Sequence, residues 1–246
     1  MMIGPLTSRP EDVAAALEDD PVAFAAQADE VLEGADPLTV LGWAGRAFGK
    51  ALAVTASMGD TVLAHLASRA VPGVDLLFVD TGYHFAETIG TLEAVRASYP
   101  VRVLSIRPER SLADHEAEHG LLHRTDPDAC CALRKVAPLE GALRGYRAWA
   151  TGLRRDESPS RAGTPTVSWD AGRGLLKLAP IATWSDDDVE AYLAAHPDIV
   201  VNPLVQLGYR SIGCAPCTRA VASGEDARAG RWAGLAKTEC GLHYQI

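Results

Sequence analysis

The 246-residue chain contains no apolar run approaching the length of a membrane-spanning helix, so no transmembrane helix is expected. Residues 1–20 show no charged-then-apolar signal pattern, and a cytoplasmic location with reduced thiols is the expectation. Basic residues are few: 23 Lys and Arg face 32 Asp and Glu, giving a net charge of -9. That balance argues against non-specific nucleic-acid binding, which relies on many cationic side chains. Neither nucleic acid nor membrane is expected as a partner, but a small anion is compatible with it, because a local basic cluster in a cleft overrides net charge. Aromatics make up only 6% and no low-complexity run occurs, so an ordered, enzyme-sized unit is expected. The phosphate loop G-x-x-x-x-G-K-[ST] is missing as well.

Hydrophobic residues account for 48% of the chain, enough at this length for one α/β domain with a full core. Residues 10–48 read as three helices: Val13 and Leu17 lie four apart, Phe24, Ala28, Val31 and Leu32 share a face, and Leu38 to Phe48 forms the third. From Lys50 the pattern becomes strand, loop, helix. Ala51–Thr55, Val74–Val79, Val101–Ile106, Tyr146–Gly152 and Leu175–Ile181 read as buried strands with helices between them. Such alternation predicts βαβ units, a parallel sheet and a ligand site beyond the strands' carboxyl ends. The loop Ser57-Met-Gly-Asp-Thr61 lies there and offers hydroxyls and amides at a helix N-terminus, as an anion seat or as an ordinary N-cap from Asp60 or Ser57. Asp80-Thr-Gly82 lies there too. His115, His119 and His123 are spaced four apart but lack a completing ligand, and a solvated helix is expected.

The five cysteines are distributed unevenly: Cys130 and Cys131 are adjacent, Cys214 and Cys217 form C-x-x-C, and Cys240 stands alone near the end. In a reducing compartment such clustering reads as metal or redox chemistry. The two pairs suit tetrahedral zinc or a [4Fe–4S] cluster, although adjacent cysteines fit zinc-site spacing poorly. A redox-active C-x-x-C is the rival, and it leaves Cys130 and Cys131 without a role. Successive helical side chains diverge by about 100°, so Cys130 and Cys131 can face one cluster only if their helix is distorted. Cys240 lies within Lys237-Thr-Glu-Cys-Gly-Leu-His243, where Lys237 and His243 favour its thiolate and Glu239 opposes it. A thiol on a mobile tail can enter a pocket, react and leave again; on these seven residues an incidental cysteine remains the alternative. Lys135, Arg154, Arg155, Arg161, Arg228 and Arg231 gather in loops or beside cysteines, as a pocket for phosphate or sulfate would require.

Taken together, Leu77–Phe85, Cys130–Leu139, Trp149–Asp156, Trp184–Val189, Val201–Leu204, Gly208–Cys217, Gly230–Trp232 and Lys237–His243 resemble the assimilatory adenosine 5'-phosphosulfate (APS) reductases. The resemblance runs in family order from about residue 50 to residue 243, and Cys-Cys, C-x-x-C and E-C-G-L-H are its most specific parts. It implies a PP-loop-type, adenine nucleotide alpha-hydrolase-like fold: a parallel sheet with helices on both faces. Residues 1–48 would be an N-terminal helical segment, 49–232 the nucleotide-binding and iron–sulfur domain, and 233–246 a mobile tail. The implied reaction reduces APS to sulfite and AMP through an S-sulfocysteine on Cys240, with thioredoxin or glutaredoxin as reductant. His243 would sit by the nucleophile, and Lys135 would bridge cluster and substrate anion. Ser57, Thr81 and Gly152 would line the adenosine site, and Arg161, Arg228 and Arg231 would clamp phosphate and sulfate. Cys130, Cys131, Cys214 and Cys217 would hold the [4Fe–4S] cluster, which in this family accompanies APS use. Assembly into a homo-oligomer stays open. Reduction of the 3'-phosphorylated substrate (PAPS) is the sibling reading. An ATP pyrophosphatase of the same fold is a second alternative, disfavoured because Ser57-Met-Gly-Asp60 lacks the full glycine-rich S-G-G-x-D-S. A non-catalytic iron–sulfur sensor is the third, disfavoured by Cys240.

Overall fold

The computed structural model describes residues 9–235 and 237–242. Among them, six strands form one sheet: β1 (Leu52–Thr55), β2 (Asp75–Val79), β3 (Arg102–Ile106), β4 (Ala148–Ala150), β5 (Val167–Asp170) and β6 (Leu175–Leu178). Their spatial order is β3-β2-β1-β4-β6-β5. All neighbours run parallel except β5, which pairs antiparallel with β6 at the edge. The expected parallel sheet is therefore a mixed, mostly parallel one. The order reverses between β1 and β4, the switch point beside which ligands sit in open sheets of this kind.

Alternation along each strand assigns the two faces. Leu52, Val54, Leu76, Phe78, Leu176 and Leu178 point into the larger core, while Ala53, Leu77, Trp149 and Leu175 point into a second one. The larger core is covered by α1 (Pro10–Asp19), α2 (Pro21–Leu32), α3 (Pro37–Phe48), α4 (Val62–Ala70), α5 (Ala86–Ser98) and α10 (Asp186–Ala195). The three N-terminal helices thus share one core with the sheet; Trp43, Leu32 and Leu41 are fully enclosed there. Asp20 and Asp36 cap α2 and α3, and proline at the first helical position of both suits a turn whose amides have no partner. Ser185 caps α10 as the sequence leads one to expect. The opposite face is covered by α9 (Ala137–Leu143), through Leu139 and Leu143. Between them run the short helices α6 (Leu112–His119), α7 (Leu122–Thr125) and α8 (Pro127–Cys131). No helix among the described residues is long and apolar enough to cross a membrane.

The histidine-rich segment departs from the solvated helix expected of it. His115 lies on α6 and His123 on α7, and both are buried. A break at Gly120, with φ of 68°, separates the two helices.

The loop after β1 is held by distant residues. Met58 and Thr61 both have positive φ, an uncommon state that costs most in a β-branched residue such as Thr61. The Thr61 hydroxyl lies 2.5 Å from the Val200 carbonyl and 3.1 Å from the Tyr99 hydroxyl, contacts that hold this conformation. Asn202, with no exposed surface, donates to the Met58 carbonyl at 3.0 Å and to Thr88 Oγ1 at 3.1 Å, while its own Oδ1 accepts from the Leu204 amide. Its backbone amide adds a bond to the Gly59 carbonyl. Replacing Asn202 by Ala leaves several buried groups without partners. The expected cost is about 2–3 kcal/mol, read as a lower midpoint in thermal or urea denaturation.

Candidate active site

The loops leaving β1, β2 and β4 converge at the switch point. In the β2 loop, Gly82 has φ of 81° and the Arg134 guanidinium lies 3.2 Å from where a Cβ would stand, so a side chain there is strained and crowds Arg134. Arg134 is buried; it donates from Nε to the Thr81 carbonyl at 2.7 Å and from Nη1 to the Arg110 carbonyl at 3.3 Å. It is a brace for this loop, a role the linear sequence does not reveal.

Asp126 caps α8, accepting from the Ala129 amide at 2.9 Å, and the helix ends on Cys130 and Cys131. The next five residues, Ala132–Val136, form a π-helical turn before α9 begins. The distortion expected of this helix thus falls directly after the pair, and such turns recur at functional sites. Cys214 and Cys217 flank a 3-10 turn fixed by three bonds: Cys217 amide to Cys214 carbonyl at 2.9 Å, Ala215 amide to Tyr83 carbonyl at 2.7 Å, and Trp232 amide to Cys217 carbonyl at 2.9 Å. All four cysteines line one cavity, together with Thr81, Lys135, Arg231 and Trp232. Burial first, then the neighbouring sulfurs, push the Cys130 thiol up to about 12. Burial likewise pushes Cys131 to about 11, against the opposing effects of Lys135 and Lys237. Among the described residues, no group of three or more His, Cys, Asp or Glu converges closely enough for a single metal ion.

The tail returns to this cavity. Lys237 pairs with Asp128 on α8, its ammonium 5.4 Å from the centre of the Trp232 ring. Arg228 Nη2 donates to the Thr238 carbonyl at 2.8 Å and lies 3.1 Å from Glu239 Oε2. Arg161 grips the same carboxylate with Nε at 2.9 Å and Nη2 at 2.8 Å, and its Nη1 pairs with Glu157. Leu242 packs against the second core beyond a turn at Gly241. Cys240 is left half-buried. Burial alone raises its thiol, but Lys135, the Leu242 amide and Arg231 outweigh burial and favour the thiolate. Lys135 responds in turn: burial disfavours its charge, while the sulfurs of Cys240, Cys214 and Cys131 more than restore it.

The remaining residues singled out from the sequence fall in different places. Thr81 stands against the cysteines, with its Oγ1 3.3 Å from Cys214 Sγ. Ser57 is exposed on the strained β1 loop, where Asp60 rather than Ser57 accepts from the first amide of α4 at 2.9 Å. Gly152 follows β4 and faces Leu63 and Ile181. Arg231 lies against the Trp232 ring, 4.4 Å from its centre, and donates to Ser211 Oγ at 3.3 Å. Its guanidinium fills the space that a Cβ on Gly213 would take, so a side chain there would displace Arg231 from its seat. His243 lies outside the described residues. Two arginines grouped with the anion pocket are not part of it. Arg154 donates to Asp186 Oδ1 at 2.7 Å, and Arg155 grips Glu33, just past the end of α2, at 2.7 and 2.9 Å. Both are tied up in carboxylate pairs that hold elements together. Reading the sequence missed Glu239 as the arginines' partner; the alternating Lys237 and Glu239 charges were the available signal.

Fold and site together define an α/β protein with a mixed, mostly parallel sheet and a thiol-rich cavity at the sheet's carboxyl edge. The family model of the phosphoadenosine phosphosulfate reductase domain matches residues 51–220, and the chain belongs to that family. It is 60% identical to the adenosine 5'-phosphosulfate reductase of Streptomyces coelicolor over 222 residues, covering 90% of this chain and 94% of that protein. It is 50% identical to the enzyme of that name from Mycolicibacterium smegmatis over 233 residues, covering 94% of this chain and 98% of that protein. Among solved structures, the PAPS reductase of Candida auris in its phosphate complex superposes with a TM-score of 0.68 at 28% identity, covering 81% of this chain and 97% of that one. The Candida glabrata FMN adenylyltransferase bound to FMN and an ATP analogue superposes with a TM-score of 0.53 at 11% identity, covering 85% and 72% of the two chains; this is a likeness of fold alone.

Proposed function

We propose that the chain reduces adenosine 5'-phosphosulfate to sulfite and AMP in sulfate assimilation, with Cys240 as nucleophile. The observation that carries this reading is the anchorage of the tail around Cys240, by Lys237 on Asp128, Glu239 on Arg161 and Arg228, and Leu242 on the second core, with Lys135 and Arg231 favouring the thiolate. Cationic neighbours favour the thiolate and can equally receive a sulfonyl group and a phosphate. The Cys240 thiolate attacks the sulfonyl sulfur, a sulfur–sulfur bond forms, the bond from sulfur to the bridging oxygen breaks, and AMP leaves with the electron pair. One thiolate of a dithiol protein of the thioredoxin or glutaredoxin class then attacks Cys240 Sγ. Sulfite leaves, and the partner's second thiol resolves the mixed disulfide and restores the Cys240 thiolate. The dithiol is oxidised by two electrons and the substrate sulfur is reduced by two.

Cys130, Cys131, Cys214 and Cys217 fit a [4Fe–4S] cluster: their donor set is all thiol, they line one cavity, and the π-helical turn follows the adjacent pair. When bound, the cluster supplies a cross-link and a local field, since the electrons come from the dithiol. APS rather than PAPS as substrate is supported by the names and identities of the curated relatives, whereas the PAPS reductase likeness is more distant.

The test is mass spectrometry of anaerobically purified protein incubated with APS and no dithiol protein. One added SO₃ group on Cys240, removed by thioredoxin with release of sulfite, is the expected result. Absence of the adduct with APS and its appearance with PAPS would move the substrate to the sibling reading.

A further inference from the structure

The two arginines with the most complete carboxylate partnership in the site do not face open space. Arg161 is only 7% exposed, and all three of its guanidinium nitrogens bind carboxylates, two of them on Glu239. Arg228 spends one nitrogen on the Thr238 carbonyl and on Glu239. With the tail in this position, neither arginine is available to a substrate anion without giving up the tail. Lys135 and Arg231 are the cations that favour the Cys240 thiolate. We infer that Glu239 is a positioning residue: its carboxylate docks on Arg161 and Arg228 and thereby seats the neighbouring Cys240 against Lys135 and Arg231. This rests on the reading of Cys240 as nucleophile.

Charge rather than shape holds the dock. When the tail leaves, Arg161 keeps Glu157, while Arg228 loses both the carbonyl and the carboxylate it binds. Of the two guanidinium groups only Arg161 then keeps a carboxylate, that of Glu157. Burial and the proximity of Arg161 already disfavour the charge on Arg228, so the empty dock is unfavourable until an anion returns. Glu239 is that anion: burial raises its carboxyl, but Arg161, Arg228 and Arg231 more than reverse this and keep it ionised. A second tie, Lys237 to Asp128, joins the tail to the helix that carries Cys130 and Cys131. The tail contributes no helix or strand among its described residues, so these ion pairs and Leu242 are what fix its position.

Glu239→Gln keeps the shape of the side chain and removes the charge, so it tests the dock without disturbing the fold. In cluster-loaded protein under anaerobic conditions, alkylation of Cys240 by iodoacetamide, followed peptide by peptide, is expected to quicken about tenfold, the effect of losing one charge-assisted pair. Formation of the SO₃ adduct at saturating APS is expected to slow by about the same factor, with AMP affinity unchanged within about twofold. Glu239→Asp recovers part of both effects. Arg161→Met adds little once Glu239→Gln is present, because the two changes remove one interaction. Unchanged alkylation in Glu239→Gln would overturn the inference. So would tighter APS binding with an unchanged adduct rate, which would make Glu239 a competitor of the substrate for the arginines. If the wild-type protein forms no adduct, the nucleophile reading fails, while the alkylation comparison still decides whether the dock exists.

Discussion

Cys240→Ser is expected to release no sulfite from APS, with turnover falling by about four orders of magnitude or more, the scale of losing a covalent nucleophile. A serine hydroxyl in the same seat stays protonated at neutral pH, and Lys135 and Arg231 cannot bring it to the alkoxide. The variant is expected to keep the visible absorbance of the cluster and to melt within a degree or two of the parent. Two observations require this. Cys240 is not among the four cysteines that line the cavity, and its segment lies outside both large cores apart from Leu242. AMP binding is expected to persist as well. Loss of the cluster colour in Cys240→Ser would make Cys240 a ligand and dissolve the division of the five cysteines into four and one. Residual sulfite release near the parental rate would place the nucleophile elsewhere. Because absorbance, melting temperature and sulfite are measured on one sample, the first two exclude misfolding as the cause of a change in the third.

What the sequence made legible follows from the range of the forces involved. β1 to β3 and the helices between them are continuous apolar runs or 3.6-residue stripes, and burial on one or two faces dictates them locally. β5 escaped because Val167-Ser-Trp-Asp170 is half polar and lies next to a turn; it becomes a strand only by pairing with Leu175–Leu178. The two cysteine pairs were visible as a pattern, and the need for a distorted helix at Cys130 and Cys131 followed from the 100° step between residues. The π-helical turn at Ala132–Val136 lies directly after the pair. The arginines were visible only as charges. Arg155 finds Glu33 across 122 residues and Arg161 finds Glu239 across 78, and no local pattern encodes such pairings. For the same reason Arg154 and Arg155 looked like pocket residues and are instead struts.

Cys214→Ser is expected to abolish cluster assembly and, unlike Cys240→Ser, to loosen the chain beyond Leu207. Beyond Leu207 the described residues form only one 3-10 turn and a single isolated bridge, Thr218 to Arg231. Trp232 is the one large buried apolar side chain in that region. Such a segment has little hydrophobic burial to offset its conformational entropy, and a cross-link supplies what the core does not. Joining Cys131 to Cys214 closes a loop of about 80 residues, worth about 4 kcal/mol on chain-entropy arguments. Without the cluster, Cys130 is held neutral by burial and neighbouring sulfurs, and the Thr81 hydroxyl faces a serine in place of Cys214. The expected readouts are loss of visible absorbance, a melting temperature lower by several degrees, and faster hydrogen exchange over residues 208–235, with the amides of β1, β2 and β4 unchanged. Removing iron from the parent with a chelator is expected to reproduce the same exchange pattern. If Cys214→Ser exchanged like the parent over 208–235, the turns and Trp232 alone would hold this region. The cluster would then act through its field on Lys135 and the site rather than through the fold.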